Sequence, residues 1–180
     1  IAADLAGNAW ACNAGIFLAT TGVYKVAPNG VLTAYPTTSE CVGVASDDNG
    51  NVWVAERGGV PPVLNRFAPN GARLQIPIVT PAEDIGTLGV GVRVAADGEV
   101  WVPIRQGTGG RSRVSRFNNA GTLLATYSTC NFPIDVSFDG VGHAWVSCLD
   151  GGAISRIALA TGVVTDFGNS GGLGTGVWSG

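Results

Sequence analysis

The chain has 180 residues, a net charge of −3 and only 13% charged residues, about half of the roughly 25% typical of soluble domains. This length corresponds to one domain with room for a substantial core. The basic residues are scattered, which argues against a nucleic-acid partner, and no apolar segment is long enough to form a membrane-spanning helix.

A tryptophan motif recurs four times along the chain, at intervals of 43, 48 and 44 residues. A glycine precedes every tryptophan by three residues, and an aspartate precedes three of the four by six residues. Such self-similarity is typical of repeat architectures. The copies read Asp4-Leu-Ala-Gly7-Asn8-Ala-Trp10, Asp47-Asp-Asn-Gly50-Asn51-Val-Trp53, Ala95-Ala-Asp-Gly98-Glu99-Val-Trp101 and Asp139-Gly-Val-Gly142-His143-Ala-Trp145.

A second motif follows each tryptophan and contains a basic residue and a glycine-terminated turn. Short β-branched and aromatic runs bounded by Gly, Asn, Asp and Pro predict strands, and no window shows the period of an amphipathic helix. Four strands per repeat predict an all-β propeller of four-stranded antiparallel blades. We expect one domain over 1–180, with approximate blades at 1–36, 41–80, 88–128 and 131–168. The second motif reads Lys25-Val-Ala-Pro-Asn-Gly30, Arg66-Phe-Ala-Pro-Asn-Gly71, Arg116-Phe-Asn-Asn-Ala-Gly121 and Arg156-Ile-Ala-Leu-Ala-Thr-Gly162.

These two motifs resemble those of the NHL-repeat and streptogramin-lyase (virginiamycin B lyase-like) group of β-propellers. The resemblance covers nearly the whole chain and implies a propeller fold. It leaves the activity open, because such propellers include lyases, lactonases, sensors and interaction modules. The group usually has six or seven blades, whereas four are visible here. Residues 176–180 match the opening of a further first strand, which either closes a ring of four or continues a larger propeller. The larger propeller is favoured, because closing such blades at four requires strain.

Four cysteines occupy strand ends that share one rim of the predicted propeller. Four cysteines permit three pairings, of which this placement favours Cys12–Cys41 with Cys130–Cys148. The alternative is a metal site formed by the four thiolates, although the chain has no Cys-x-x-Cys pair. Disulfides predict an extracellular or periplasmic location.

The repeated residues are interpreted as structural. The four tryptophans are predicted to pack within and between blades. The repeated basic residues Lys25, Arg66, Arg116 and Arg156 are predicted to pair with the turn carboxylates, for which Ala95, in place of an aspartate, provides a test. His143 is the single histidine and takes a turn position on the rim opposite the cysteines. Streptogramin lyases rely on a histidine base beside a divalent metal, and His143 does not match that role.

Residues that depart from the repeat are the candidates for binding. Asn13, Glu56, Arg93, Arg105 and Asp135 lie on the cysteine rim or in the channel and are the candidate binding residues. No catalytic residue is assigned. In a lactonase-like propeller, Asn13, Glu56 and Asp135 would supply oxygen ligands to calcium or magnesium. The alternative is that Arg93 pairs with Asp135 in the channel and that Glu56 is solvated.

We therefore expect a secreted or cell-surface binding or structural interaction module without a required cofactor. Its partner would be a protein or another extracellular ligand, bound at the cysteine rim. A metal-dependent lactonase or streptogramin-type lyase is the first alternative, and a subunit of an extracellular assembly is the second.

Overall fold

The computed structural model describes residues 1–13, 21–57, 61–78, 91–105, 112–149 and 152–168. They form four antiparallel sheets of four strands, and each sheet follows the chain order. This is the predicted all-β propeller architecture, with one sheet per repeat. No α-helix occurs in these ranges, and none of their segments could cross a membrane as a helix. The predicted strand at 176–180 and most of the loops on the cysteine rim lie outside the described residues.

Each sheet is one blade. Blade 1 contains β1 (Ala2–Ala3), β2 (Ala9–Asn13), β3 (Gly22–Val26) and β4 (Leu32–Pro36). Blade 2 contains β5 (Glu40–Ser46), β6 (Val52–Arg57), β7 (Val63–Phe67) and β8 (Arg73–Pro77). Blade 3 contains β9 (Arg93–Val94), β10 (Val100–Ile104), β11 (Arg113–Phe117) and β12 (Leu123–Ser128). Blade 4 contains β13 (Pro133–Phe138), β14 (His143–Cys148), β15 (Ile154–Ala158) and β16 (Val164–Phe167).

The tryptophan motif forms the turn between the first two strands of each blade. In blade 2, Asp47 Oδ1 accepts hydrogen bonds from the amides of Asn49 and Asn51, and the Gly50 amide donates to the Asp47 carbonyl. Gly50 has φ +77°, and a Cβ there would lie 3.2 Å from a carbon of Pro69. The glycine is therefore required both by the backbone conformation and by the close approach of a neighbouring turn.

The core consists of three clusters, each formed where one blade packs on the next. We call the surface that carries the tryptophan the far face, because it points to the following blade. The opposite surface, formed by the residues on either side of the tryptophan, is the near face. For example, Trp53 on the far face of blade 2 packs in one cluster with Val100, Val102 and Phe117 from the near face of blade 3. Alternation along each strand thus fills both sides of a blade.

The structure contains two disulfides, Cys12–Cys41 and Cys130–Cys148. These are the predicted pairs, so a site formed by four free thiolates is wrong. Cys12 ends β2 and Cys41 begins β5, so the first disulfide joins blade 1 to blade 2. The second closes a link of 18 residues inside the fourth repeat.

Candidate functional site

The cysteine rim is the edge of the propeller that carries both disulfides. All five candidate binding residues lie at this edge or in the innermost strands, and Glu56 is the cross-strand partner of Cys41. Asn13 is the last residue of β2, where it pairs with Gly22 of β3. Arg93 and Asp135 lie in the innermost strands of blades 3 and 4. Arg105 directly follows β10.

The Glu56 side chain is 0% exposed, so the alternative interpretation that it is solvated is wrong. Its Oε2 accepts hydrogen bonds from the amide and hydroxyl of Thr38 and from the Ser39 amide, at 2.9, 2.7 and 3.2 Å. Its Oε1 accepts hydrogen bonds from the Asn65 side-chain amide and from the Arg73 guanidinium. A buried carboxylate needs such partners to offset the loss of water. Glu56 therefore holds the β4–β5 connection against β7 and β8, and both its oxygens are already engaged.

Arg93 and Asp135 form an ion pair between the innermost strands of blades 3 and 4. Asp135 is largely buried and also accepts the Val136 amide at 2.8 Å, whereas 43% of the Arg93 side chain is exposed. A Cβ on Gly91 would lie 2.6 Å from Asp135 Oδ1, so the glycine makes room for this carboxylate. The pairing matches the alternative interpretation of these two residues.

The proposed calcium ligands are thus engaged by protein partners where the structure describes them. Glu56 accepts five hydrogen bonds, and Asp135 is neutralised by Arg93. Within the described ranges, no three His, Cys, Asp or Glu side chains are grouped as metal ligands would be.

Arg105 lies over the ring of Phe132, with 3.3 Å between the guanidinium carbon and the ring centroid. Phe132 has φ 63°, which is uncommon for a bulky residue. Its backbone is held by hydrogen bonds to the Ser112 hydroxyl and from the Leu149 amide, at 3.0 and 2.9 Å. Phe132 could not be predicted from the sequence, because no repeat position marks it. Together Arg105 and Phe132 present a cation and an aromatic ring at the cysteine rim between blades 3 and 4.

The opposite edge, which we call the turn rim, carries the tryptophan-motif turns. In blades 1, 2 and 4 the turn aspartate accepts a hydrogen bond from the indole of the tryptophan six residues later. In blade 2, burial raises the pKa of the Asp47 carboxyl, but the hydrogen bonds that it accepts outweigh this effect. The pKa therefore lies below its ordinary value of 3.8. Blade 3 has Ala95 at this position, and the buried indole N–H of Trp101 has no partner among the described residues.

The predicted pairing of the repeated basic residues with turn carboxylates is wrong. Each basic side chain lies over the tryptophan ring of its own blade, at 5.5 to 5.9 Å from the centroid. This cation–π arrangement follows from the register, because each basic residue is the cross-strand partner of the tryptophan. Among the described residues, Arg116 alone of the four also pairs with a carboxylate of the motif, and that residue is Glu99 rather than a turn aspartate.

His143 lies on the turn rim. Its Nδ1 is 2.8 Å from Asp139 Oδ2, and its amide donates to Asp139 Oδ1 at 3.0 Å. It therefore takes the place of Asn8 and Asn51 in the equivalent turns, where the asparagine side chains bind the aspartate.

Solved structures with this fold include streptogramin lyases. A structure titled streptogramin B lyase has a TM-score of 0.74 and 16% identity, over 93% of this chain and 53% of that one. A catalytically inactive histidine-to-alanine variant of virginiamycin B lyase from Staphylococcus aureus, with quinupristin, has a TM-score of 0.71 and 18% identity, over 94% and 54%. A putative gluconolactonase has a TM-score of 0.59 and 20% identity, over 81% and 53%. The chain thus has a streptogramin-lyase-like β-propeller fold and spans about half the length of these proteins. No protein-family profile and no curated protein matches the sequence.

Proposed function

We propose that the chain is a structural interaction module whose end blades bind further propeller blades. The main support for this proposal is the exposure of the far face of blade 4. Trp10, Trp53 and Trp101 are 3%, 0% and 1% exposed because the next blade covers each of them. Trp145 is only partly buried, and Phe167, which stacks on it, is 41% exposed.

The far face of blade 4 has the composition of an interface between blades. Trp145 and Ile154 line a cleft of about 190 Å³ on this face, together with serine side chains. No core cluster of the described residues joins blade 4 to a following blade. Exposed apolar surface of this kind is typical of an interaction site.

Blade 1 has the complementary surface at the other end of the chain. On its near face Val26 is 39% exposed, whereas the residues at the same strand position in the later blades, Phe67, Phe117 and Ile157, are 1%, 2% and 0% exposed. Leu32, the cross-strand partner of Val26, is 60% exposed. The far face of blade 4 and the near face of blade 1 therefore match by the same rule that joins the internal blades, so each of these two faces fits a further blade of the same kind.

Light scattering with small-angle X-ray scattering tests this assembly. We expect a mass above the 18.2 kDa of one chain, and dissociation when Phe167 is replaced by serine. The matched control is Leu124→Ser, since Leu124 is 46% exposed on the outermost strand of blade 3, away from the end faces. A chain that stays monomeric at high concentration, or two variants with the same effect, would overturn the proposal.

The module is proposed to act in an extracellular or periplasmic compartment, because disulfides persist where the environment is oxidising. Ligand contact is proposed at the cysteine rim. There Arg93 extends from its ion pair with 43% of its side chain exposed, and Arg105 stacks on Phe132. Substituting Arg93 or Arg105 with alanine should weaken capture of an extracellular ligand without changing the assembly mass. Unchanged capture would exclude the rim.

A metal-dependent lactonase or lyase is the second candidate, supported by the fold shared with streptogramin lyases and a putative gluconolactonase. The single histidine of the present chain is engaged by Asp139 on the turn rim. An enzyme built on this fold would therefore need its base from other residues. Calorimetric titration with calcium or magnesium, followed by lactone and streptogramin turnover assays, separates the candidates. Heat of metal binding together with turnover supports the enzyme, whereas the absence of both supports the interaction module.

A further inference from the structure

A cleft of about 310 Å³ opens on the turn rim between blades 1 and 2, away from the cysteine rim. Blade 1 supplies its charged groups, blade 2 adds the exposed Asn49 at its edge, and its apolar wall comes from both blades. The residues that the argument uses are Asp4, Leu5, Trp10, Lys25, Ala68 and Pro69.

The equivalent place between blades 2 and 3 is filled by an asparagine. The Asn119 side-chain amide donates to Asp47 Oδ2 at 2.7 Å, and the Asn119 backbone carbonyl accepts a hydrogen bond from Arg66. Asn119 therefore joins the turn carboxylate of blade 2 to the basic residue of the same blade.

Pro69 is the counterpart of Asn119 in the blade 1–2 cleft. Both are the second residue of the turn between the third and fourth strands. Each also lies beside the turn glycine of its own blade, since a Cβ on Gly50 would be 3.2 Å from Pro69 and one on Gly98 would be 3.9 Å from Asn119. Proline has no side-chain amide, so the group that completes the blade 2–3 interface is missing here.

Without this side-chain amide, the Asp4 carboxylate can accept a further hydrogen bond. Asp4 accepts from Ala6, Asn8 and Trp10, as Asp47 does from its own turn, but it lacks the additional bond that Asn119 gives to Asp47. Lys25 lies over the Trp10 ring at 5.5 Å and makes no ion pair within the part of the chain that the structure describes. The cleft thus offers one acceptor and one donor.

We propose that this cleft binds the carboxamide side chain of an asparagine or glutamine in a peptide partner. The amide N–H would donate to Asp4 Oδ2, and the amide oxygen would accept from Lys25 Nζ. A neutral group is required because an ammonium would be repelled by Lys25 and a carboxylate by Asp4. The apolar surface of Leu5, Ala68 and Pro69 contacts the methylene groups that carry the amide.

Binding can be followed on the indole N–H of Trp10, which shares Asp4 Oδ2 with the proposed ligand. The probe is N-acetyl-asparagine amide, with the aspartate and alanine analogues as matched controls, and the readout is the indole region of a ¹H–¹⁵N spectrum. We expect a saturable shift of the Trp10 signal in the millimolar range, as for a ligand with few contacts. The Trp53 signal should not move, because Asn119 already fills the equivalent place between blades 2 and 3.

One variant should fill the cleft between blades 1 and 2, and another should open the equivalent place between blades 2 and 3. Pro69→Asn supplies the missing amide in the chain and should abolish the Trp10 shift, whereas Asn119→Ala should create a new shift at Trp53. Pro28→Asn is the matched control for the first variant, since Pro28 takes the same turn position in blade 1 and should leave the Trp10 shift unchanged.

Lys25→Ala, which alters no turn, should weaken the shift at least severalfold and provides the test if Pro69→Asn does not fold. The proposal is overturned if Trp10 shows no saturable shift, if Trp53 shifts equally, or if the aspartate analogue binds as well as asparagine. A shift given by N-acetylglucosamine and not by the asparagine probe would assign the cleft to a sugar and also refute the peptide ligand.

Discussion

Replacing Glu56 with glutamine removes the charge from a fully buried carboxylate while keeping the shape of the side chain. Its two oxygens accept five hydrogen bonds. A glutamine must turn its NH₂ group toward one set of these donors, either Thr38 and Ser39 or the pair on the other side. It also leaves Arg73, which is 26% exposed, without its carboxylate partner, although Arg73 keeps its hydrogen bonds to Asn65 Oδ1 and the Pro36 carbonyl. Removing one member of a buried pair costs about 3–5 kcal/mol.

We expect a loss near the lower limit, about 3 kcal/mol, because Arg73 can turn toward water. For a chain of this length this corresponds to a drop in Tm of roughly 6–12 °C. Glu40→Gln is the matched control, since Glu40 pairs with Arg57 at the surface with 41% of its side chain exposed. Such pairs contribute about 0–1 kcal/mol.

Urea unfolding followed by tryptophan fluorescence, with both disulfides oxidised, measures the two losses on the same scale. If Glu56→Gln loses less than about 1 kcal/mol, or no more than Glu40→Gln, the role of Glu56 as an internal tie is wrong.

Three further predictions concern the repeat. Trp53→Phe should lower the free energy of unfolding by about 1–2 kcal/mol more than Trp101→Phe in urea titrations, because only the Trp53 indole donates a hydrogen bond to a buried carboxylate, that of Asp47; equal losses would contradict this. Stability should fall as the pH drops below about 4, because a carboxyl whose folded-state pKa is depressed stabilises the fold above its unfolded pKa and loses that contribution on protonation. Asp47→Asn should be less stable at neutral pH but show a shallower acid limb by circular dichroism, and an unchanged limb would exclude Asp47 as a main source. Replacing Cys12 and Cys41 with serine should cost about 3–4 kcal/mol for a link of 29 residues in the chain-entropy model, whereas a thermal scan matching the parent would show that blade packing alone holds the two blades.

The fold could be predicted from the sequence because the strands and turns of each repeat are indicated by residues that are close together in the sequence. The disulfides followed because cysteine positions could be read against a repeated strand order. The role of Glu56 could not, since its donors Thr38, Asn65 and Arg73 come from three different segments that only the folded blade brings together.

The basic residues were misassigned for a different reason. Opposite charges suggested a pair with the turn aspartates, whereas the aspartate is taken by the indole six residues later. A motif that spaces Asp and Trp by six residues in three copies contained the signal for that hydrogen bond. The cross-strand register then places each basic group over the aromatic ring.

The two disulfides constrain the blades differently. Cys12–Cys41 crosses a blade boundary, whereas Cys130–Cys148 lies within one repeat. Under mechanical load or during slow hydrogen exchange, blade 1 cannot separate from blade 2 even after their apolar contact has opened. Within the described residues blade 4 has no covalent cross-link to blade 3, and it is joined to it by apolar packing, by the Arg93–Asp135 ion pair and by the connecting backbone. Blade 4 should therefore separate from blade 3 more readily than blade 1 separates from blade 2.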